Sequence, residues 1–295
     1  MRGLAFCPAH ITGFFKAEVE QSSPEMMGSL GAGFSIKDGV TTTVNVNYTD
    51  KNNFEIHTTG YETDNTDVSE FVIKEFQKIV DKKFHCNVNH DISVPIGYGL
   101  GCSGAVALSL AFALDQSLGT NLSKEEIGKI AHTAEVSCKT GLGDVIGSFY
   151  GGFEIRTKAG APGIGKLQKI DSDSRVIIVC FSPMSTKKFL DENLAMINGL
   201  GGKMVNKLIQ TNDYNEFQDM SIEFAKYVKV MTPRMDSVIS ELNGIGVKCG
   251  VALFGETIFS LVPKDKESQV LEILNKYEKN VIIQSEIDNV GARLY

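Results

Sequence analysis

Two acids, Glu135 and Asp144, stand where simple solvation does not account for them. Glu135 closes the apolar helical stripe Ile127, Ile130, Ala131, Ala134, and Asp144 lies between glycines and apolar residues in GLGDVIG. Such a pair suits phosphoryl transfer, which asks a protein for a nucleotide cradle, a metal carboxylate and a carboxylate near the attacking hydroxyl. The candidate cradle is VPIGYGLGCSGAVALSLAFAL, residues 94–114, where Gly99, Gly101 and Gly104 are spaced G-x-G-x-x-G ahead of an apolar run. In a phosphate loop, successive backbone N–H groups and a helix N-terminus face the anion. Ser103 then either offers its hydroxyl to Mg2+, a hard cation that takes oxygen ligands, or caps the helix. His132, three residues before Glu135 on the same helical face, either donates to an anionic substrate or is satisfied inside the core or by Glu135 itself. Arg156, in FEIRTK, is either a solvated strand charge or the bidentate fork for a substrate carboxylate.

Two other glycine loops compete for the same residues. A dinucleotide fingerprint needs a βαβ unit with an acidic residue at the end of the second strand, about 20 residues on. Here the helix leads to a second helix, and Glu125 and Glu126 fall in its first turn. The P-loop pattern fails at Ala105 and Val106, where Lys and Ser/Thr belong; in GAPGIGKL it fails at Leu167, and that stretch reads as a surface turn.

The elements that must position these residues are partly visible. VTTTVNVNY (40–48) and NFEIHTT (53–59) have strand character around the turn TDKNN. Residues 67–84 carry Val72, Phe76, Ile79, Val80 and Phe84 at helical spacing, with Asp67 as N-cap, and FHCNVNHDI alternates as a half-buried strand. Residues 104–118 are apolar on nearly every side, which predicts a central helix; Ser123 with Glu126 forms a capping box for another over 123–137. KTGLGDVIGSFYGGFEIRTKAGAPGIGK reads as loop, strand, loop, and QKIDSDS (168–174) is the candidate domain boundary, dividing 1–172 from 173–295. The second part has a buried strand RVIIVCF, amphipathic helices between 186 and 243, the strand pair VKCGVALFGETIFSLVP, the helix KESQVLEILNKYE and a closing strand VIIQSEI. This is an α+β domain.

Composition narrows the classes. The chain has 295 residues, 42% hydrophobic, and a formal charge of -7, with no Lys/Arg run. Nucleic acid and anionic membranes want clustered positive charge, and no segment reaches the apolar length of a membrane span, so neither partner is expected and the location reads as cytoplasmic. Six scattered cysteines without a C-x-x-C pair read as buried thiols rather than disulfides or a zinc site.

PIGYGLGCSGA is similar to the second motif of the GHMP small-molecule kinases, and the chain more closely resembles the archaeal pantoate kinases of that superfamily. FCPAHITGFF (6–15), GSLGAGFSI (28–36), residues 131–165 and the terminal GARLY carry the resemblance, which spans the whole chain. It implies an α+β GHMP kinase fold: an N-terminal domain like the second domain of ribosomal protein S5, a ferredoxin-like C-terminal domain, and ATP and substrate between them. By motif position it implies that Pro95, Gly99, Leu100, Gly101, Cys102, Ser103, Gly104 and Ala105 hold ATP. Ser103 and Glu135 would hold Mg2+, Asp144 would be the base, and Ser29, His132 and Arg156 would bind pantoate. The implied reaction gives 4-phosphopantoate, a step toward coenzyme A, with pantoate as the small-molecule partner and a homodimer as a permitted assembly. The sequence departs from the family pattern at three places. His10 stands where many relatives have Lys, Cys102 and Gly104 replace Ser and Ala, and the third motif, CGVALFGETIFSL, keeps only Gly250 and Gly255.

Overall fold

The computed structural model describes residues 1–170, 172 and 174–295. In chain order the elements are β1 (Arg2–Glu18), β2 (Gly28–Tyr48), β3 (Asn53–Gly60), α1 (Asp67–Ile79), β4 (Phe84–Ile92), α2 (Cys102–Leu118), α3 (Lys124–Cys138), α4 (Asp144–Tyr150), β5 (Phe153–Lys158) and β6 (Lys166–Ile170). The second half runs β7 (Arg175–Pro183), α5 (Thr186–Thr211), α6 (Tyr214–Tyr227), α7 (Pro233–Gly244), β8 (Gly250–Val251), β9 (Gly255–Val262), α8 (Glu267–Leu274), β10 (Val281–Glu286) and β11 (Arg293–Leu294).

β1 and β2 are long antiparallel partners at the centre of a seven-stranded sheet ordered β11-β1-β2-β4-β3. The far half of β2 pairs with β4 from Val40 to Tyr48, and its near half pairs with β5 from Gly31 to Phe34, with β6 beyond. Its length was not apparent from residues 40–48 alone, because GSLGAGFSI is glycine-rich and lacks the β-branched residues that mark a strand. β3, α1 and β4 form a parallel βαβ unit. β4 covers the expected residues, with Phe84, Cys86, Val88, His90 and Ile92 buried on one face. α1 stops at Ile79, short of residue 84, and its N-cap is Thr66, with Asp67 the first helical residue. The helical period beyond Val80 is coincidental: Phe84 fits it but begins β4.

α2 is buried on nearly all sides, packed between the sheet and the helices α1, α3 and α4, which is why its sequence has no polar face. α3 begins with the expected box: Glu126 N donates to Ser123 Oγ (3.3 Å), and Ser123 N donates to Glu126 Oε2 (2.8 Å). The loop expected after Lys139 instead contains α4, too short and glycine-flanked to show a period.

A second sheet, antiparallel in the order β10-β7-β9-β8, has the 4-1-3-2 strand order of a ferredoxin-like domain when its strands are numbered in sequence. Around the expected 172/173 boundary, β6 of the first sheet ends at Ile170 and β7 of the second begins at Arg175; Asp173 itself lies outside the described residues. The chain's end returns to the first sheet, where β11 pairs with β1. The two sheets share an aromatic seam. Phe34 of β2 meets Phe259 of β9 at 5.1 Å between centroids, and Phe153 of β5 meets Phe217 of α6 at 4.7 Å. Each pair adds about 0.5–1.5 kcal/mol beyond its buried area, so the seam helps to join the two halves. All six cysteines are free, and no helix among the described residues is long and apolar enough to cross a membrane.

Candidate active site

The cleft between the halves has a volume of about 420 Å3, within the range of small-molecule sites. One wall is the glycine loop. Gly101 is the N-cap of α2 at φ +59°, and a Cβ there would lie 2.9 Å from the His10 carbonyl. An L side chain is disfavoured on both counts. No side chain caps α2. Ser103 is therefore not its cap; its hydroxyl donates to Glu135 Oε1 at 2.8 Å. The loop is backed by the third motif, since a Cβ on Gly99 would come 2.9 Å from the Leu253–Phe254 backbone, and Leu253 N donates to Thr12 O (3.0 Å). What remains of that motif packs against the cradle.

Gly99, Leu100, Gly101, Cys102 and Ser103 line the cleft, as do Ser29 and Asp144, whereas Pro95, Gly104 and Ala105 sit behind it. A Cβ on Gly104 would stand 3.3 Å from both Asp144 Cβ and Glu135 Oε1, so the start of α2 touches both acids. Glu135 is buried, and its Oε2 has no hydrogen-bond partner among the described residues. Burial first, then the charge of Asp144, push its carboxyl up to about 8, against the Ser103 hydrogen bond that lowers it. A cation beside this oxygen would satisfy the orphan atom and restore the ionised acid. Ser103 Oγ donates a hydrogen bond to Glu135 and keeps its lone pairs, so the two residues fit a hard divalent ion such as Mg2+. Among the described residues no group of three or more His, Cys, Asp or Glu could hold a metal, so two protein oxygens would leave the remaining positions to phosphate and water.

Asp144 opens α4, and its Oδ1 accepts from His10 Nδ1 at 2.9 Å. His10 Nε2 lies 3.1 Å from Glu154 Oε1, also buried. Burial pulls the imidazolium down, but Glu154 and Asp144 outweigh it and hold the ring's pKa at about 9. His10 is thus held as a cation between the two carboxylates. Glu154 was not singled out in the sequence; its signal was the FEIR pattern, which puts Glu154 and Arg156 on one strand face.

Arg156 is buried behind the cleft wall. Its Nη1 is ion-paired with Glu154 and Nη2 donates to Thr12 Oγ1 (3.2 Å), so the expected bidentate fork is not free for a substrate. Nε is unpartnered among the described residues. Arg156 Nε and Ser29 Oγ both border Gly143, where a Cβ would lie 2.8 Å from the first and 2.4 Å from the second. His132 stands apart: it does not line the cleft, Nε2 bonds Met27 O at 2.9 Å, and burial holds its pKa below the ordinary value. It is a neutral strut for the segment leading to Ser29, because the tertiary fold dehydrates it. A histidine not singled out in the sequence, His90, also lines the cleft, between Thr42 Oγ1 (2.8 Å) and Ser69 Oγ (3.1 Å), and burial lowers its pKa to about 4.

The family model for the GHMP kinases N terminal domain matches residues 67–152, and that for GHMP kinases C terminal matches 205–280. The chain belongs to the GHMP kinases. This GHMP kinase is 33% identical over 286 residues to the pantoate kinase of Methanocaldococcus jannaschii, covering 94% of this chain and 98% of that one. It is 30% identical over 277 residues to the pantoate kinase of Thermococcus kodakarensis, covering 92% and 91%. A solved phosphotransferase related to the CoA biosynthesis pathway superposes with a TM-score of 0.88 at 27% identity, covering 100% of this chain and 99% of that one.

Proposed function

We propose that the protein is an ATP-dependent pantoate kinase that moves the γ-phosphoryl group of ATP to the 4-hydroxyl of pantoate. The near full-length similarity to pantoate kinases supports the substrate class. The observation that carries the reading is local: Ser29, Asp144, Ser103 and the glycine loop line one cleft, so a hydroxyl acceptor and the phosphates would meet there.

In this reading the glycine loop and the α2 N-terminus hold the phosphates, and Ser103 with Glu135 holds Mg2+. The metal, when bound, neutralises phosphate charge. Ser29 Oγ, which lines the cleft, meets the pantoate carboxylate, and the Arg156 guanidinium stands buried behind that wall. Asp144 accepts the 4-hydroxyl proton as that oxygen bonds to the γ-phosphorus and the bond to the ADP oxygen breaks. His10 Nδ1 holds Asp144 Oδ1 and so aims it.

The test is ADP release from Mg-ATP with pantoate, pantothenate, homoserine, mevalonate and shikimate offered singly. Pantoate is the expected acceptor, and faster turnover of any other would overturn the assignment. Pantoyl amide, which lacks the charge, should lose about 10- to 200-fold in kcat/KM, the equivalent of about 1.5–3 kcal/mol for a hydrogen bond to a charged group.

A further inference from the structure

His10 sits in a slot. A Cβ on Gly33 of β2 would lie 2.7 Å from ring atoms Cε1 and Nε2, and one on Gly147 of α4 would lie 2.4 Å from Cδ2 and Nε2. The ring is flanked by backbone on two sides and fully buried, so its nitrogens cannot choose other partners. The groups facing it are Asp144 from α4, Glu154 and Arg156 from β5, and Thr12 from β1, with Oγ1 3.5 Å from Nδ1. Glu135 of α3 lies beyond Asp144.

These partners fix the protons. Asp144 is an acceptor, so Nδ1 carries a hydrogen. A neutral ring would then turn its Nε2 lone pair on the Glu154 carboxylate at 3.1 Å, closer than Arg156 Nη1 at 3.4 Å. Protonated at both nitrogens, the ring donates to both carboxylates. His10 and Arg156 then balance Asp144 and Glu154 in a buried set of four charges. Only Asp144, with a side chain 22% exposed, reaches the cleft.

We propose that Glu154 is a positioning residue acting through His10: it anchors the ring at Nε2 so that Nδ1–H holds Asp144 Oδ1, leaving Oδ2 to take the substrate proton. This rests on Asp144 being the base of the proposed reaction. Glu154 does not touch the substrate. Through His10 it sets the direction of the group that does.

The experiment combines nitrogen NMR of the histidines with pH profiles for the natural enzyme and Glu154→Gln, which keeps an acceptor for Nε2–H and removes the charge. In the natural enzyme His10 should be an imidazolium at pH 7.5. In E154Q its titration should move at least tenfold in proton concentration toward acid, and the alkaline limb of kcat/KM should move with it. At pH 8 kcat should fall by about 10- to 100-fold, less at pH 6, with the KM for ATP unchanged. A neutral His10 in the natural enzyme overturns the proposal, and this reading stands even if E154Q does not fold. So does a folded E154Q with an unmoved titration and an unmoved limb. The NMR needs no substrate, so a different preferred acceptor would refute the pantoate assignment and leave this result intact; a fully active Asp144→Asn would refute the base.

Discussion

Replacing Glu135 by Gln should make the metal-free protein more stable while removing its use of Mg2+. The buried carboxyl titrates at about 8 rather than at 4.5, so the folded state binds its proton more tightly than the unfolded chain does. Stability contributed this way is present at acid pH and is lost as pH climbs from the ordinary carboxylate value toward about 8. Each pH unit in that window is worth about 1.4 kcal/mol, so at pH 7 the natural acid lowers stability by roughly 3 kcal/mol relative to a neutral isostere. Gln keeps an acceptor for Ser103 and carries the same unpartnered polar group as the protonated acid, so those contributions cancel. For a chain of this size the difference is on the order of 5–10 °C in Tm. Melting should be followed from pH 5 to 8, with and without Mg-ATP. Without metal, E135Q should melt near the natural protein at pH 5 and well above it at pH 7. With Mg-ATP only the natural protein should gain fully, since binding to the folded state alone is what raises Tm. If E135Q melts at or below the natural protein throughout that range without metal, Glu135 has a compensating partner and the account of its orphan oxygen is wrong.

Asp144→Asn should lower kcat by about 10²- to 10⁴-fold with little change in melting, and a loss below tenfold would remove Asp144 as the base. Gly101→Ala places a side chain at φ +59° against the His10 carbonyl, which should weaken the fold by about 1–2 kcal/mol and raise the KM for ATP; an unchanged ATP KM would separate this loop from the nucleotide. Ser123→Ala removes half of the α3 capping box, far from the acids' contacts, and should reduce stability by about 1 kcal/mol in denaturant melts with kcat/KM unaltered.

The sequence by itself determined the local elements and the chemically equipped residues. Burial period and capping residues mark β4, α2 and the start of α3, since a two- or near-four-residue repeat and a Ser-x-x-Glu box act over a few neighbours. The same locality explains what was missed. β1 and the near half of β2 are strands because they pair with each other, and β2 also with β5 more than a hundred residues on, not because GSLGAGFSI favours extension. α4 has two turns between glycines and is held by packing. Ser103, Glu135 and Asp144 could be picked out because polar residues in apolar or glycine-rich runs need a reason to be there. Only the tertiary structure decided what each group became. His10 and His132 are both buried, as is His90. His10 faces two carboxylates and is held charged, His132 faces a backbone carbonyl and is neutral, and His90 faces hydroxyls and is neutral. Arg156 likewise lost its fork to Glu154, two residues away on its own strand, and kept one free donor. A side chain's charge depends on the dielectric and the partners around it, and for His10 and His132 those partners come from segments more than a hundred residues away.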